Sequence, residues 1–209
     1  ENCIAVAPGA NYSLLPGSII HFSKVIDEAD IIVMQAEIPY ETIKRIALLA
    51  KQKGKKVLFN PAPACLIDEE LMKAIDILVV NELEAAFISG IEYTGNNLEE
   101  IALSLLQAGA RNAVITLGSQ GVYMKNDKEI IQLPGYKVNA IDTIAAGDTF
   151  CGALAVICAQ REIDRDALSF ANAAAAIAVT RSGAQPSIPT LDEVKHFMLE
   201  KELALSFNF

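Results

Sequence analysis

The residues Ile31-Ile32-Val33-Met34-Gln35 are apolar at four consecutive positions and end on a polar one. Apolar side chains at consecutive positions of a strand indicate a sheet that is covered on both faces. Similar runs recur along the chain and alternate with amphipathic segments. The predicted strands are Cys3–Ala7, Ile31–Gln35, Lys56–Asn60, Ile77–Val80 and Ala113–Leu117. This alternation predicts an α/β fold with a doubly wound, mainly parallel sheet and helices on both of its faces.

The segments between and after these strands have helical patterns. The predicted helices are Ser18–Glu28, Pro39–Lys53, Asp68–Ala74, Glu82–Ser89, Leu98–Gly109, Gly147–Gln160, Asp164–Arg181 and Leu191–Glu202. Two short apolar runs, Gly121–Lys125 and Glu129–Leu133, flank Asn126-Asp127 and predict a hairpin. Since no repeat, linker or low-complexity segment interrupts the pattern, residues 1–209 are interpreted as a single domain.

The composition excludes several classes of partner. The net charge is −9 and no basic cluster stands out, which argues against a nucleic-acid partner. Apolar runs are short and interrupted by charged residues, so no membrane-spanning segment is expected. No charged segment precedes an apolar one as in a signal peptide, so none is expected.

The cysteines and histidines do not indicate a metal site. Cys3, Cys65, Cys151 and Cys158 lack a CxxC spacing and are interpreted as reduced thiols of a cytoplasmic protein. The two histidines, His21 and His196, are too few for a histidine metal site or a catalytic triad, and both are interpreted as solvated helix residues.

The stretch Asp142-Thr143-Ile144-Ala145-Ala146-Gly147-Asp148 runs directly into the apolar segment Thr149–Val156. Small residues before an apolar helix leave the amides of Ala146, Gly147 and Asp148 unpaired, which is a ready anion site. A carboxylate beside a bound phosphate is repulsive unless it has a chemical role, and Asp148 could accept the proton of a hydroxyl that attacks the phosphoryl group. Alternatively, Asp148 is only a helix N-cap.

Polar residues follow several of the predicted strands. In open α/β sheets, ligands bind beyond the carboxyl ends of the strands. Glu37, Asn60, Asn81 and Glu84, the turn Thr116–Gly121, and Asp148 all fall there. Each also has a simpler interpretation: Glu84 as a solvated helix residue, Thr116–Gly121 as an ordinary turn, Asn60-Pro61 as a helix stop, and Glu37 as a loop carboxylate.

Together these segments resemble the ribokinase family of carbohydrate kinases. The matching stretches are Met34–Glu37, Asn60–Ala64, Asn81–Ala85, Thr116–Gly121, Asp142–Ala155 and Ala173–Ser187. They span nearly the whole chain in the family's order, and Asp142–Ala155 is a specific family signature. The last run is more similar to the ribose-phosphorylating branch than to the fructokinase, adenosine kinase or pyridoxal kinase branches.

The resemblance implies a role for each candidate residue. Asp148 would be the catalytic base, and Ala145, Ala146 and Gly147 would form the anion hole for the transferring phosphoryl group. Many members have glycine where this chain has Ala145. Glu37 would contact the sugar, together with Asp148.

The resemblance also implies the binding of ATP, Mg²⁺ and K⁺. Asn81 and Glu84 would organise Mg²⁺ and the phosphates, with water between protein and metal. The nucleotide would be bound by Thr116, Leu117, Gly118, Ser119, Gln120, Gly121, Gly147, Asp148 and Asn172. A monovalent cation would be held mostly by backbone carbonyl oxygens of Asp142, Ile144, Ala178, Arg181, Gly183 and Ser187.

The activity implied is ATP-dependent phosphorylation of D-ribose at its 5-hydroxyl. Another sugar or nucleoside kinase of the family and a non-catalytic nucleotide-binding fragment are the alternatives. Members of the family have roughly a hundred further residues upstream, on the usual size of a large α/β domain. Those residues supply the first strands, a Gly-Gly sugar-binding motif and a lid through which homodimers form. We therefore expect this chain to expose an apolar sheet edge, to form no dimer by that route and to have weak activity alone.

Overall fold

The computed structural model describes residues 7–206, so the predicted strand Cys3–Ala7 lies almost wholly outside the described residues. The strands are β1 (Ile31–Gln35), β2 (Lys56–Asn60), β3 (Ile77–Asn81), β4 (Asn112–Thr116), β5 (Val122–Asn126) and β6 (Ile130–Leu133). The helices are α1 (Ser23–Glu28), α2 (Tyr40–Gln52), α3 (Glu69–Met72), α4 (Glu82–Ser89), α5 (Leu98–Gln107), α6 (Ala146–Cys158), α7 (Arg165–Ala178) and α8 (Leu191–Ser206).

The strands form one sheet in the order β1-β2-β3-β4-β5-β6. The first four are parallel, and β5 and β6 continue the sheet as an antiparallel hairpin. Gln35 pairs with Asn60, and Asn81 pairs with Thr116. The parallel strands therefore end on polar residues at the same edge of the sheet, where the sequence predicts ligand binding.

Helices cover both faces of the sheet, as predicted. Crossovers between parallel strands are right-handed, and β1 to β4 advance in one direction, so their connecting helices α2 to α5 fall on one face. This layer packs residues such as Ile43 and Leu105 against Phe59 and Val80. The other face is covered by α6 and α7, which follow the last strand in sequence. The second helix layer therefore arises without a reversal of strand order within residues 7–206.

Neighbouring strand residues alternate between the two layers. In β3, Leu78 and Val80 contact the α2–α5 layer, whereas Ile77 and Val79 contact the α6–α7 layer. This explains the consecutive apolar residues of the strands, since both faces are buried. Outside this core, α8 packs on α7 through Val194, which is buried against Ala174 and Ile177.

The segment before β1 differs from its prediction. The predicted helix Ser18–Glu28 is a 3₁₀ segment, Pro16–Phe22, followed by the six-residue α1. Each of the two pieces buries only one side chain, Ile19 or Ile26. Most helical stability in proteins comes from packing an apolar face, and this segment packs little.

β1 is an edge strand of the described sheet, and apolar side chains are exposed both on it and on the segment that precedes it. Val33 is 45% exposed although it lies in a strand. The large side chains most exposed before it are Tyr12, Leu15, Ile20, Phe22 and Val25. This agrees with the expectation of an exposed apolar edge.

Two further predictions concern membranes and thiols. Between residues 7 and 206, every helix is too short or too polar to cross a bilayer. Cys65, Cys151 and Cys158 are not disulfide-bonded, and Cys3 lies outside the described part. Burial raises the pKa of Cys151 to about 12 and that of Cys158 to about 11, so both thiols stay protonated at neutral pH.

Candidate functional site

A cleft of about 730 Å³ lies beyond the carboxyl ends of β3 and β4. This volume is in the range of small-molecule sites. It brings together eight residues predicted as site residues: Asn81, Thr116, Gly118, Ser119, Gly121, Ala146, Gly147 and Asn172. The residues came from four separate stretches of sequence, and the fold places them around one cavity.

The turn between β4 and β5 forms one wall of the cleft. Gly118–Gln120 is a single 3₁₀ turn, closed by a hydrogen bond of 2.8 Å from the Leu117 amide to the Gly121 carbonyl. Leu117 is buried in the core, and Gln120 is exposed to solvent. Neither residue lines the cleft, so these two predicted nucleotide contacts belong to the turn without facing the cavity.

Two glycines allow the chain to cross itself beside this turn. Gly121 has φ +102°, and a Cβ there would lie 2.1 Å from the Leu133 carbonyl oxygen. A Cβ on Gly135 would lie 2.2 Å from the Ser119 carbonyl oxygen. The segment after β6 therefore lies directly against the turn, and neither glycine position has room for a side chain.

That segment forms a second wall that the sequence analysis missed. Gly135, Tyr136, Lys137, Val138, Ala140 and Thr143 line the cleft. Asn172, buried in α7, donates a hydrogen bond of 3.0 Å to the Pro134 carbonyl and so fastens this segment to the helix. The turn signal Pro134-Gly135 after a predicted strand was the available clue.

Asn81 and Glu84 form a capping box at the start of α4. The Asn81 side chain accepts the Glu84 amide at 2.8 Å, and Glu84 Oε2 accepts the Asn81 amide at 2.9 Å. Glu84 is half-buried, and burial raises its carboxyl pKa, which the hydrogen bond from the Asn81 amide partly offsets. It is therefore not a solvated helix residue, and its Oε1 accepts no hydrogen bond from the part of the chain described.

The first turn of α6 presents unpaired amides next to Asp148. Ala145, the N-cap, has φ +60°, the one positive value at a residue other than glycine between residues 7 and 206. The amides of Gly147 and Asp148 have no acceptor within that range, whereas the Ala146 amide donates to the Thr143 carbonyl at 3.3 Å. The predicted anion site thus has two fully free amides in the first turn, and a third, Ala146, in a long turn hydrogen bond.

The Asp148 carboxylate is exposed and is held by a side chain from the sheet. Gln35 Nε2 donates to Asp148 Oδ1 at 2.7 Å and to Asn60 Oδ1 at 3.2 Å. Asn60 Nδ2 in turn donates to the Val79 carbonyl at 2.9 Å. The sequence analysis noted Asn60 without a role and missed Gln35, although each is the polar last residue of an apolar strand.

The predicted sugar contact, Glu37, lies apart from the cleft lining. It is exposed in the turn that follows β1, two residues after Gln35. Gln35 at the end of β1 contacts Asp148, so the turn that carries Glu37 lies at the same edge of the sheet as Asp148.

The predicted monovalent-cation residues lie on two segments that Asp142 joins. Its Oδ1 accepts the Ile144 amide and its Oδ2 accepts the Gly183 amide, each at 3.0 Å, and these bonds lower the carboxyl pKa of Asp142. Ala178 ends α7, and its carbonyl accepts the Arg181 amide at 3.1 Å. Ser187 is buried, and its hydroxyl donates to the Ala184 carbonyl at 2.6 Å.

The predicted residues of this region offer backbone carbonyl oxygens and the Asp142 carboxylate as oxygen donors. In the described chain, no three His, Cys, Asp or Glu side chains are grouped as for a transition metal. Oxygen donors with one negative charge suit a hard cation.

Comparison with known proteins identifies relatives over almost the whole chain. The model of the pfkB family carbohydrate kinases matches residues 1–191. A ribokinase of Staphylococcus aureus is 40% identical over 196 residues, which are 93% of this chain and 64% of that protein. A ribokinase of Haemophilus influenzae is 38% identical, over 95% of this chain and 65% of its own. A deoxyribokinase of Salmonella typhi is 32% identical over the same shares.

Solved structures of ribokinases have the same fold. The Thermotoga maritima ribokinase superposes with a TM-score of 0.85 at 40% identity, over 95% of this chain and 66% of its own. The Arabidopsis thaliana ribokinase complexed with ribose and ATP gives 0.88 at 28% identity, over 95% and 65%. The chain thus spans 64% and 65% of the length of the two curated ribokinases.

Proposed function

We propose that this chain, which belongs to the pfkB family of carbohydrate kinases, supplies the nucleotide site and the catalytic base of an ATP-dependent kinase that phosphorylates D-ribose at its 5-hydroxyl. The single observation that carries the proposal is the first turn of α6. There, Gly147 lines the cleft with a free amide, and the next residue, Asp148, has a free amide and an exposed carboxylate.

The chemical step follows from this arrangement. Asp148 accepts the proton of the sugar hydroxyl, whose oxygen forms a bond to the γ-phosphorus. The bond between that phosphorus and the β,γ-bridging oxygen breaks, and ADP leaves. The amide of the N-cap residue Ala145 and the first-turn amides of Ala146, Gly147 and Asp148 stabilise the charge on the transferring phosphoryl oxygens, because they are donors fixed before the reaction.

The nucleotide occupies the cleft in this proposal. The turn Thr116–Gly121 and the segment after β6 enclose the base and ribose, with Asn172 near the base. Mg²⁺ bound at the phosphates would neutralise their charge, and Glu84 with Asn81 would hold it through water. The half-burial of Glu84 and its free Oε1 suit that role, since Mg²⁺ keeps part of its hydration shell.

K⁺ would bind between the segments that Asp142 joins. Carbonyl oxygens at Asp142, Ile144, Ala178, Arg181, Gly183 and Ser187 would hold it, and its site adjoins the start of α6. The negative charge of Asp142 and its bonds to Ile144 and Gly183 support this assignment, because they keep the two segments together.

The proposed acceptor is D-ribose. Glu37 would contact the sugar, and ribose is favoured because the two ribokinase relatives are more similar than the deoxyribokinase. Deoxyribose is the second candidate, since that relative is still 32% identical over 95% of this chain.

The experiment is ADP formation with Mg-ATP and K⁺ by the natural protein that contains these 209 residues, with ribose, with deoxyribose and without sugar. We expect ribose-dependent turnover, and a loss of about 10²- to 10⁴-fold in kcat for Asp148→Asn, because a general base contributes that much. Asp166→Asn is the matched control, since Asp166 is also an exposed aspartate in the first turn of a helix.

Two results would contradict the proposal. Full turnover in Asp148→Asn would remove Asp148 as the base. Nucleotide binding without sugar-dependent ADP formation would favour a non-catalytic nucleotide-binding protein.

A further inference from the structure

We infer that Gln35 positions the Asp148 carboxylate by holding Oδ1, and thereby reserves Oδ2 for the proton of the acceptor hydroxyl. This inference rests on the proposed function of Asp148 as the base. Gln35 is not among the residues that line the cleft, and its side chain bonds the Asp148 carboxylate, so it acts through Asp148 as a positioning residue.

The hydrogen-bond chain fixes which way each amide faces. Asn60 Nδ2 donates to the backbone carbonyl of Val79, so Asn60 Oδ1 faces Gln35 as an acceptor. Gln35 Nε2 carries two hydrogens, and the two oxygens within reach are Asn60 Oδ1 at 3.2 Å and Asp148 Oδ1 at 2.7 Å. If the Gln35 amide were reversed, its oxygen would face two other oxygens. The buried backbone of β3 therefore sets the orientation of a side chain on α6.

Helix α4 shows a different arrangement of an acidic residue at the same helix position. Glu84 is the third residue of α4, and its carboxylate turns back onto the amide of its own N-cap residue, Asn81. Asp148 is the third residue of α6, and its N-cap residue is Ala145. No side-chain cap bond forms in α6, and the Ala145 amide has no acceptor in residues 7–206.

Asp148 thus has a competing local partner that it does not use. In a capping box, an acidic residue at the third position of a helix bonds the amide of the N-cap residue, as Glu84 does with the extended Asn81. In that conformation, the carboxylate would be turned onto its own helix and one free donor of the proposed anion hole would be consumed. The bond from Gln35 holds the carboxylate on the sheet side, away from the N-cap.

The test is a double-mutant cycle in kcat, measured on the natural protein that contains these residues. Gln35→Met keeps the length of the side chain and removes the donor. We expect kcat to fall about 10- to 100-fold, because misplacement of a reacting group by about 1 Å can cost that much. The KM for ATP should change by less than about twofold, since the cleft is not altered.

The cycle separates positioning from damage to the fold. In an Asp148→Asn background, Gln35→Met should cost less than about twofold further, because a residue that acts only through Asp148 has nothing left to position. A purely structural role would lower kcat by the same factor in both backgrounds. Gln132→Met is the matched control, since Gln132 is an exposed strand glutamine far from Asp148 in the sheet, and its kcat should match the wild type.

A second measurement needs neither turnover nor a substitution at Gln35. With ¹⁵N-glutamine labelling, the side-chain NH₂ signals of Gln35 should move when Asp148→Asn is introduced, while those of Gln132 stay. A Gln35 signal that is insensitive to Asp148→Asn, or a kcat for Gln35→Met within about twofold of the wild type, would overturn the inference. Absence of sugar-dependent turnover in the wild type would instead overturn the proposed function, with the labelling result still deciding the contact.

Discussion

At the amino ends of the parallel strands, polar groups are paired within the protein, whereas at the carboxyl ends several are left free. Lys56 begins β2, and its ammonium group contacts the carbonyls of Cys158 and Arg161 and the Glu162 carboxylate at 2.8–3.1 Å. Asp76, just before β3, accepts the Val57 amide at 2.9 Å and Arg111 at 2.8 Å. These groups have little capacity left for a ligand.

At the carboxyl ends, the corresponding groups are fixed but not saturated. Gln35 donates hydrogen bonds to Asn60 and to Asp148, and the Gly147 and Asp148 amides have no acceptor in the described chain. Such groups are fixed donors and acceptors for a ligand, and leaving them free costs some stability. The difference implies that substitutions at the amino ends should change stability alone, and substitutions at the carboxyl ends should change binding or turnover.

The largest effect in this comparison is expected from Gly121→Ala. The new Cβ would lie 2.1 Å from the Leu133 carbonyl oxygen, in a backbone conformation that only glycine adopts easily. Overpacking and backbone strain together should cost roughly 2–6 kcal/mol of unfolding free energy. Nucleotide binding should weaken as well, because the turn must move.

Chemical unfolding and nucleotide titration check this prediction. Gly152→Ala is the control, since a Cβ there meets no atom within 4 Å and Gly152 lies inside α6. It should stabilise by roughly 0.5–1 kcal/mol. Equal stabilities of the two variants would mean that the chain crossing at Gly121 is not as close as described.

Asp76→Ala tests the amino ends of the strands, where we expect a loss of stability and no change in turnover. The buried Val57 amide would lose its acceptor, which should cost about 1–3 kcal/mol of unfolding free energy. Turnover per folded molecule should not change, because Asp76 lies at the opposite end of the strands from Asp148.

Arg111→Ala is the matched control, because it removes the other half of the same ion pair. The Arg111 side chain is 72% exposed, so its loss should cost at most about 1 kcal/mol. A fall in kcat for Asp76→Ala at full folding would show that the two ends of the strands are not independent.

A smaller effect is expected from Ala145→Gly at the carboxyl end. Ala145 has φ +60°, which costs an alanine more than a glycine, while glycine loses more entropy on folding. The net result should be a stabilisation of roughly 1 kcal/mol. Ala146→Gly, one residue further into α6, should instead destabilise, because that position is helical. Thermal unfolding of the two variants compares them directly, and the same sign for both would contradict the assignment of strain to Ala145.

The sequence was sufficient wherever local pattern decides the structure. The bounds of β1, β2 and α4 agree residue for residue with the predictions Ile31–Gln35, Lys56–Asn60 and Glu82–Ser89. Strands buried on both faces leave runs of apolar residues, and the capping box of α4 starts that helix at a fixed residue. The convergence of polar residues at one edge followed from the parallel topology.

What could not be predicted depends on contacts between distant segments. The bond from Gln35 to Asp148 joins residues 113 positions apart, and no spacing rule identifies such a pair. The cleft wall at residues 135–140 depends on the close contact of Gly121 with the backbone after β6. Assignment of strands and helices from local sequence does not predict such a contact. The prediction of a single domain and the roles of the site residues stay predictions.

The smallest effect concerns a satisfied carboxylate close to the carboxyl-end loops. The Arg181 guanidinium, with the amide and hydroxyl of Thr190, lowers the pKa of Glu193 to about 2 from an ordinary value of 4.5. A carboxyl with a lowered folded-state pKa contributes stability above its unfolded pKa and loses it as pH falls through the folded value. The contribution should be small, since Glu193 is exposed and solvent screens the pair.

In Glu193→Gln, the unfolding midpoint should fall below the wild type by a constant amount at neutral pH, and the difference should shrink between pH 4.5 and about 2. Asp192→Asn, an exposed neighbour in the same turn, is the control. A difference that persists unchanged at pH 2, or one that does not weaken in high salt, would show that Glu193 acts through packing and not through its charge.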